Sequence, residues 1–430
     1  MLSWFSPASD DSRMTRAETR QRLPSTYWRL WCATGIDNLG NGAFAAAMPL
    51  LAVTVTQDPR LVALVSAVTY LPWLLLSLPA GSLVDRRDRV ALMWRSQAVQ
   101  AVIVGVIAVL VAVGGIGIPV LAVLAFGLGA CDVVFSNAAQ ANLPDVVPKS
   151  LLHEANGAQQ TITTVAQQFI GPPVGSLLFA VAVALPFGMD AGSFALSAAL
   201  LATLPRRRRP QAEPQPMRTA IVDGLRWLAR HRLLRTLAVL LGVNTFCWQL
   251  ANATLVLLAT QTLHLSARGY GLLLAGAALG SVFGGLVNAR VVRRIGALPT
   301  LLTALTVNVL AFAGVGLSPN AIALGAFLAV NGFATTLWNI VTVSLRQEIV
   351  PSALLGRVTS VYKLLGWGLI PFGTLTGGLL AHEFGPRAPY PVAGVVRGIA
   401  LLAALPVLIG ALRPQAGTAT VASASASRRR

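Results

Sequence analysis

The chain has 430 residues, 55% of them hydrophobic and only 11% charged, with a mean hydropathy of +0.68. A soluble globule carries about 25% charged residues, so this chain has too little polar surface to be one. Its apolar runs are long and continuous, which excludes an outer-membrane barrel whose strands alternate over about ten residues. The formal net charge is +18, and in a membrane protein basic residues are read first as topology signals.

Residues 1–26 are polar, contain Asp10, Asp11, Arg13, Arg16 and Glu18, and lack the apolar core of a cleavable signal. They are expected to form a cytoplasmic tail, with the first span as anchor. Apolar segments bounded by Gly, Pro or charge follow at 28–54, 61–83, 91–113, 117–139, 158–182 and 184–204, each able to supply about 20 residues of spanning helix. The longest polar interruption, 205–234, opens with PRRRRPQAEPQP. Within it Ile221, Leu225 and Leu228 share one helical face while Asp223, Arg226 and Arg230 point elsewhere, so a short helix on the inner membrane surface is expected. Six further spans lie at 235–260, 269–289, 297–317, 320–344, 359–381 and 393–412, and residues 413–430, rich in Ala, Ser and Thr, are expected to be a disordered cytoplasmic tail. The short uncharged turns GGIGIPV, ALPFG and SPN make hairpins of spans 3/4, 5/6 and 9/10. The expected fold class is an all-α membrane protein of twelve transmembrane helices in two six-helix bundles, 27–204 and 235–412.

With both termini cytoplasmic, 29 of the 33 basic residues fall in tails, inner loops or inner helix ends, and only Arg60, Arg268, Arg387 and Arg397 fall on the other side. That bias fixes the expected orientation. The charge is spread over every inner loop, so nucleic acid is not an expected partner. All but Lys149 and Lys363 of the basic residues are Arg, and Ala and Gly are abundant, which suggests a bacterial, high-GC gene and a bacterial cytoplasmic membrane. Cys32, Cys131 and Cys247 lie inside apolar runs without CxxC spacing, so neither a disulfide framework nor a metal site is implied.

The two halves share sequence. GSLVDRRDRV from Gly81 aligns with GGLVNARVVR from Gly284, an offset of 203, and LPDVVPKSLL around Pro148 aligns with RQEIVPSALL around Pro351 at the same offset. Agreement in offset and in position, after spans 2/8 and 4/10, indicates two related bundles repeated about an axis normal to the membrane.

The loop after span 2, Gly81-x-x-x-Asp85-Arg86-x-x-Arg89 with Asp88 in place of a second Gly, has a degenerate copy after span 8. In this motif the chain resembles the major facilitator superfamily over essentially its whole length. LPWLLLSLPAGSLVDRRDRV, LPDVVPKSLLHEANG and LLGRVTSVYKLLGWGLIPFGTLTGG are similar to its branch of bacterial transmembrane secretion effectors, which includes enterobactin-type siderophore exporters and macrolide efflux proteins. Gly171-Pro172-Pro173-Val174-Gly175 is similar to the core of the antiporter motif, although Gln167 stands where an upstream Gly belongs. The resemblance implies that Asp85 latches onto the NH groups starting span 11, with Arg86 and Arg89 pairing with acids or lipid phosphates. The alternative is an Asp85–Arg89 pair on a solvated loop.

Ionisable residues at depth are costly in hydrocarbon and face a cavity or a partner. Asp37 lies about ten residues, hence about 15 Å, into span 1 and Asp132 lies inside span 4. Desolvation disfavours a charged carboxylate there, which lets the group take up and release a proton, so both are candidate proton-coupling residues. Alternatively they are static acids bonded through Asn38 or Asn137. Asp190 reads as a helix-start cap beside Ser193.

Polar residues gather on spans 1, 4, 7 and 10, among them Asn38 and Asn41; Asn137; Asn244 and Gln249; Asn331 and Asn339, with Trp248 adding aromatic surface. Span 12 carries almost none. The resemblance implies that these four spans line a central path, so those residues are the expected substrate cavity, with aromatic surface suited to small amphipathic compounds. Gly171, Pro172 and Gly175 in span 5 and Pro371 and Gly377 in span 11 let those helices bend or slide at the bundle interface. There is no HExxH, GxSxG or GxxxxGK[ST] sequence, so no catalytic residue, metal or cofactor is expected and ATP is not the expected energy source. The expected function is proton-coupled export by alternating access. Uptake or uncoupled facilitation is the nearest alternative, and a non-transporting scaffold or sensor the more distant one. The expected partners are a small molecule, protons and the bilayer, with the chain acting as a monomer.

Overall fold

The computed structural model describes residues 23–148, 151–205 and 217–412, and among these there is no strand. Several of the apolar runs begin their helices on a side-chain cap. Asp58 accepts the Arg60 N–H ahead of Pro59, Asp88 the Ala91 N–H, Ser266 the Gly269 N–H and Asn320 the Ala323 N–H. Gly296 and Gly385, at φ +90° and +87°, end helices in a conformation open to glycine.

The helices are α1 (Ser25–Val55), α2 (Pro59–Arg86), α3 (Arg89–Ala112), α4 (Ile118–Val146), α5 (Leu152–Thr163), α6 (Gly171–Val181), α7 (Leu185–Ala202), α8 (Met217–Arg230), α9 (Arg232–Asn252), the short α10 (Leu255–Leu257), α11 (Ala267–Ile295), α12 (Ala297–Leu317), α13 (Ala321–Ile349), α14 (Ser352–Gly368), α15 (Ile370–Phe384) and α16 (Pro389–Leu412). Eleven helical stretches are long and apolar enough to cross a membrane, two of them, Arg232–Thr262 and Leu364–Phe384, with a break inside. Span 5 is the exception. It is divided into α5, a π-helical segment Thr164–Ile170 and α6, and its first half carries Gln159, Gln160, Gln167 and Gln168. Counted as one crossing, it completes the twelve.

Successive crossings are antiparallel, so the bundle has a basic end, with Arg86, Arg89, Arg230, Arg232, Arg293 and Arg294, and an opposite end, with Asp58, Gly114, His264, Asn320 and Gly385. The α8 helix, expected on the membrane surface, packs against α14 and α9 and buries Leu228 in the second half. The tails 1–22 and 413–430, the stretch 206–216 and the side chains of Ile221 and Asp223 lie outside the described residues.

The repeat is visible in contacts. Tyr27 donates its hydroxyl to the Ala155 carbonyl at 3.0 Å, while Tyr362 donates to the Leu234 carbonyl at 2.7 Å. Both partners are displaced by 207 residues, with donor and acceptor exchanged. Glycines repeat the pattern. A Cβ at Gly171 or Gly175 would collide with Gly42 or Ala43 of α1, and one at Gly373 or Gly377 with Phe246 or Leu250 of α9. Small residues at these positions let the backbones approach closely.

The apolar core is continuous at one end and divided at the other. At the opposite end a single cluster joins Leu51, Val62, Phe187 and Phe194 of the first half to Leu250, Leu255, Tyr270 and Phe312 of the second. Toward the basic end it separates into a first-half cluster around Tyr27, Met93 and Leu201 and a second-half cluster around Leu237, Trp338 and Tyr362. The helix pairs agree. The halves meet where α15 lies on α2 and α6 on α11, whereas the basic-end pieces α14 and α5 approach the facing half far less.

Candidate functional site

Asp37, twelve residues into α1, is 4% exposed and accepts a 2.9 Å hydrogen bond at Oδ1 from Gln97 Nε2 of α3. Asn41, one turn on, lies beside the same carboxylate. On the same face, Gly40 leaves the room that Asp190 and Ser193 of α7 occupy, since a Cβ there would strike both side chains. Asp190 is buried five residues inside α7, and its Oδ1 accepts from Ser193 Oγ at 3.2 Å. It is therefore not the helix-start cap the sequence suggests: the N-cap position of α7 is Ala184. Spans 1, 3 and 6 thus converge on a buried polar hub. Among the described residues, Gln97 Oε1 and Asp190 Oδ2 are acceptors there without a donor, and Gln100 Oε1, three residues on along α3, also lacks one, so the hub is short of protons rather than of oxygens.

Asp132 of α4 accepts from Trp73 Nε1 of α2 at 3.1 Å. The Trp73 indole stacks on Trp367 of α14, centroids 4.5 Å apart and planes within 18°, so this carboxylate is one ring removed from the other half. Neither acid uses the partners expected for it. Asn38 and Asn137 instead donate to the carbonyls of Thr34 and Val133, one turn back on their own helices.

The second half has a hub at the corresponding place. Arg397 was counted with the basic residues of the outer side. It lies eight residues inside α16, 5% exposed, and donates to Asn308 Oδ1 of α12 at 3.1 Å and to the Asn244 carbonyl of α9 at 2.8 Å. Asn244 and Arg397 are displaced by 207 residues from Asp37 and Asp190. Next to this hub, Trp248 and Asn331 line a small cavity with Asn252, Phe312 and Tyr390. Of the other expected cavity residues, Gln249 is buried beside Gly373 and Asn339 is exposed near the basic end of α13.

In the loop motif, Gly81 lies within α2, and the side chain of Asp85 is outside the described residues. Arg86 is exposed at the last residue of α2, and Arg89 Nη1 donates to the Ala141 carbonyl of α4 at 2.8 Å. Asp88, the departure from the motif, caps α3 through the Ala91 N–H at 2.8 Å. Span 5 changes helical type just before Gly171-Pro172-Pro173, and span 11 is interrupted at Leu369, ahead of Pro371. Gln97, Gln100, Asn308 and Arg397 were not singled out from the sequence. Their signal is a polar or charged residue inside the otherwise apolar spans 3, 9 and 12.

Twelve crossings, two repeated bundles and polar hubs buried within each are what a small-molecule transporter requires. A model of the transmembrane secretion effector family, within the major facilitator transporters, matches residues 22–427. The chain belongs to this family. Among curated relatives, this secretion effector is 27% identical over 370 residues to the multidrug efflux pump Tap of Mycolicibacterium fortuitum, covering 82% of this chain and 88% of that one. It is 28% identical over 375 residues to Tap of Mycobacterium tuberculosis, covering 83% and 87%. With the enterobactin exporter EntS of Citrobacter koseri it shares 27% over 297 residues, covering 66% and 69%. Among solved structures, the nucleoside transporter NupG superimposes with a TM-score of 0.69 at 12% identity, covering 90% of this chain and 99% of that one. A bacterial homologue of the iron transporter ferroportin gives 0.63 at 18%, covering 89% and 100%. The secretion effector is thus a multi-pass membrane transporter for small molecules and not an enzyme.

Proposed function

We propose that this secretion effector exports small amphipathic compounds across the bacterial cytoplasmic membrane, driven by the proton gradient, by alternating access of one central site. The observation that carries this reading is the apolar core that is shared by both halves at the opposite end and divided at the basic end. With the arginine-rich end in the cytoplasm, as the positive-inside bias indicates, this is an inward-open arrangement closed to the exterior. Rocking the halves about their mid-depth contacts, where Trp73 meets Trp367, exchanges which end is sealed. The interruptions of spans 5 and 11 supply the bending this needs.

Asp37 and Asp132 are the proton carriers in this account. A protonated carboxyl at Asp37 or Asp190 adds an O–H donor to a hub whose acceptors lack one. Loss of the proton restores a charge that the buried site disfavours. One charge moved through 100 mV supplies roughly 2.3 kcal/mol. Two relatives are named for export, which supports the outward direction. The protein is proposed to work as a monomer.

The test is an accumulation and resistance screen in a bacterial strain lacking its own efflux pumps, with and without an uncoupler. Export predicts lower accumulation of a subset of compounds, restored by the uncoupler. Higher accumulation would indicate uptake, uncoupler-insensitive flux a facilitator, and no flux for any compound a non-transporting role.

A further inference from the structure

Among the described residues, Arg397 is a buried cation without a counter-charge. Between Gly224 and Leu412 the sequence holds only two acidic residues, Glu348 and Glu383, and these sit at the two ends of the bundle, near the last residues of α13 and α15. The guanidinium is served by neutral groups instead. Asn308 Oδ1 and the Asn244 carbonyl each take one N–H, Cys247 lies against it, and the Phe312 ring lies beneath it with its centroid 4.0 Å from Cζ. Asn308 is held in that orientation, since its Oδ1 also accepts from Thr335 Oγ1 at 3.3 Å and its Nδ2 donates to the Ala304 carbonyl. Nε has no partner. Dipoles and an aromatic face soften the desolvation of a guanidinium but leave its charge in place, and buried charges are normally paired.

The charge is not demanded by packing. The equivalent corner of the first half, built by the corresponding spans 1, 3 and 6, carries Asp190 where this one carries Arg397. Alongside lies the cavity walled by Phe312 and Trp248, whose rings meet edge to face at 6.1 Å, with Asn331 Oδ1 also lacking a donor.

We propose that the Arg397 hub is an anion site, holding one negative charge beside an aromatic wall. The charge is either the carboxylate-type group of a transported compound or a halide ion. Only the transported-compound source rests on the proposed export function; binding itself does not.

The test uses the purified full-length protein in detergent. Its thermal unfolding midpoint is followed as sodium gluconate is replaced by sodium chloride at constant ionic strength, and separately as 5-carboxyfluorescein is added in gluconate. A ligand that binds only the folded state raises the midpoint saturably, and a rise of several degrees is expected with at least one of the two. Arg397→Gln should abolish the response, while Arg397→Lys, which keeps the charge but loses the planar fork, should weaken it. Asn308→Asp places a carboxylate against the guanidinium and should remove the response in a folded protein, which covers the case in which Arg397→Gln fails to fold. A response to chloride alone identifies the inorganic ion. A response to carboxyfluorescein, with Arg397-dependent uptake of that dye but not of a cationic rhodamine into everted vesicles, identifies a substrate group. A wild-type midpoint indifferent to both anions, or equal responses in wild type and Asn308→Asp, overturns the proposal.

Discussion

Gly378, in α15, faces the start of α2 across the closed end of the molecule. A Cβ there would strike the Ala63 methyl and come within 2.9 Å of the Pro59 carbonyl and 3.5 Å of Arg60 Cα. Two of these three neighbours are backbone atoms, which cannot turn aside as a flexible side chain can. Gly378→Ala or Gly378→Leu therefore overpacks the closed end but is relieved when the halves part there. Overpacking a tight contact costs about 1–3 kcal/mol, equivalent to roughly a 5- to 150-fold change in a two-state equilibrium, with Leu at the upper limit. Spin labels at Gln57 and Phe384, exposed positions on opposite halves at that end, read the equilibrium as a distance distribution once Cys32, Cys131 and Cys247 are replaced. The expected result is a growing long-distance component in the order wild type, Ala, Leu. Gly366→Ala is the control, because a Cβ at Gly366 on the same crossing meets nothing within 4 Å. Unchanged distances in a folded Gly378→Leu protein, or equal shifts in the control, would refute the idea that this contact seals the closed state.

Other consequences can be measured separately. Asp58 caps α2 through the Arg60 N–H at 2.9 Å, pairs with the Arg60 guanidinium at 3.0 Å and lies 3.5 Å from His382 of the other half. Hydrogen bonds from Arg60 hold its carboxyl below the usual range. Its contribution is therefore present at neutral pH and lost as the pH falls from the ordinary carboxylate range through that lowered value. Thermal unfolding should show Asp58→Ala losing about 1 kcal/mol, with Asp58→Asn losing less because Asn still caps. Tyr27→Phe and Tyr362→Phe should each cost about 1 kcal/mol in chemical unfolding, and the double variant their sum, since the two bonds lie in different halves. Trp73→Phe removes the indole N–H from Asp132 while keeping a ring against Trp367. Transport in vesicles should fall severalfold with the unfolding midpoint nearly unchanged, and full transport would exclude a role for that bond.

How much of this is legible in the sequence depends on the kind of signal. Span positions follow from apolar length and from Gly, Pro and charge at the breaks; every span overlaps its helix, but several helices run five to seven residues past the expected ends, as α4 does to Val146 and α11 to Ile295. The loop repeat at an offset of 203 was the expected sign of two related bundles; the paired Tyr27 and Tyr362 bonds, which it did not foretell, stand at an offset of 207. Span 5 was read as one continuous helix, because nothing in TVAQQFI distinguishes a π-helical turn from an α-helical one. Side-chain partners were the least legible. Spans apolar on every side give no periodic face that says which neighbour a lone Gln meets, so Gln97 was passed over while the nearby Asn38 was favoured for Asp37. Arg397 was counted only as one of four basic residues on the non-cytoplasmic side, a topology count that says nothing of burial. In fact it lies about 12 Å from the end of its helix, and the neighbouring crossings α9 and α12 enclose it. Asp88 was read as a departure from the loop motif, but its capping bond gives it a local role.

The central claim, proton-driven export through the buried carboxylate of span 1, is tested most directly in liposomes containing the purified protein. The measurement is the flux of a compound identified by the accumulation screen, under an imposed pH gradient, for wild type and Asp37→Asn. The account predicts gradient-dependent accumulation by the wild type and none by the variant, with the variant still binding the compound. Accumulation by Asp37→Asn at the wild-type rate would contradict it.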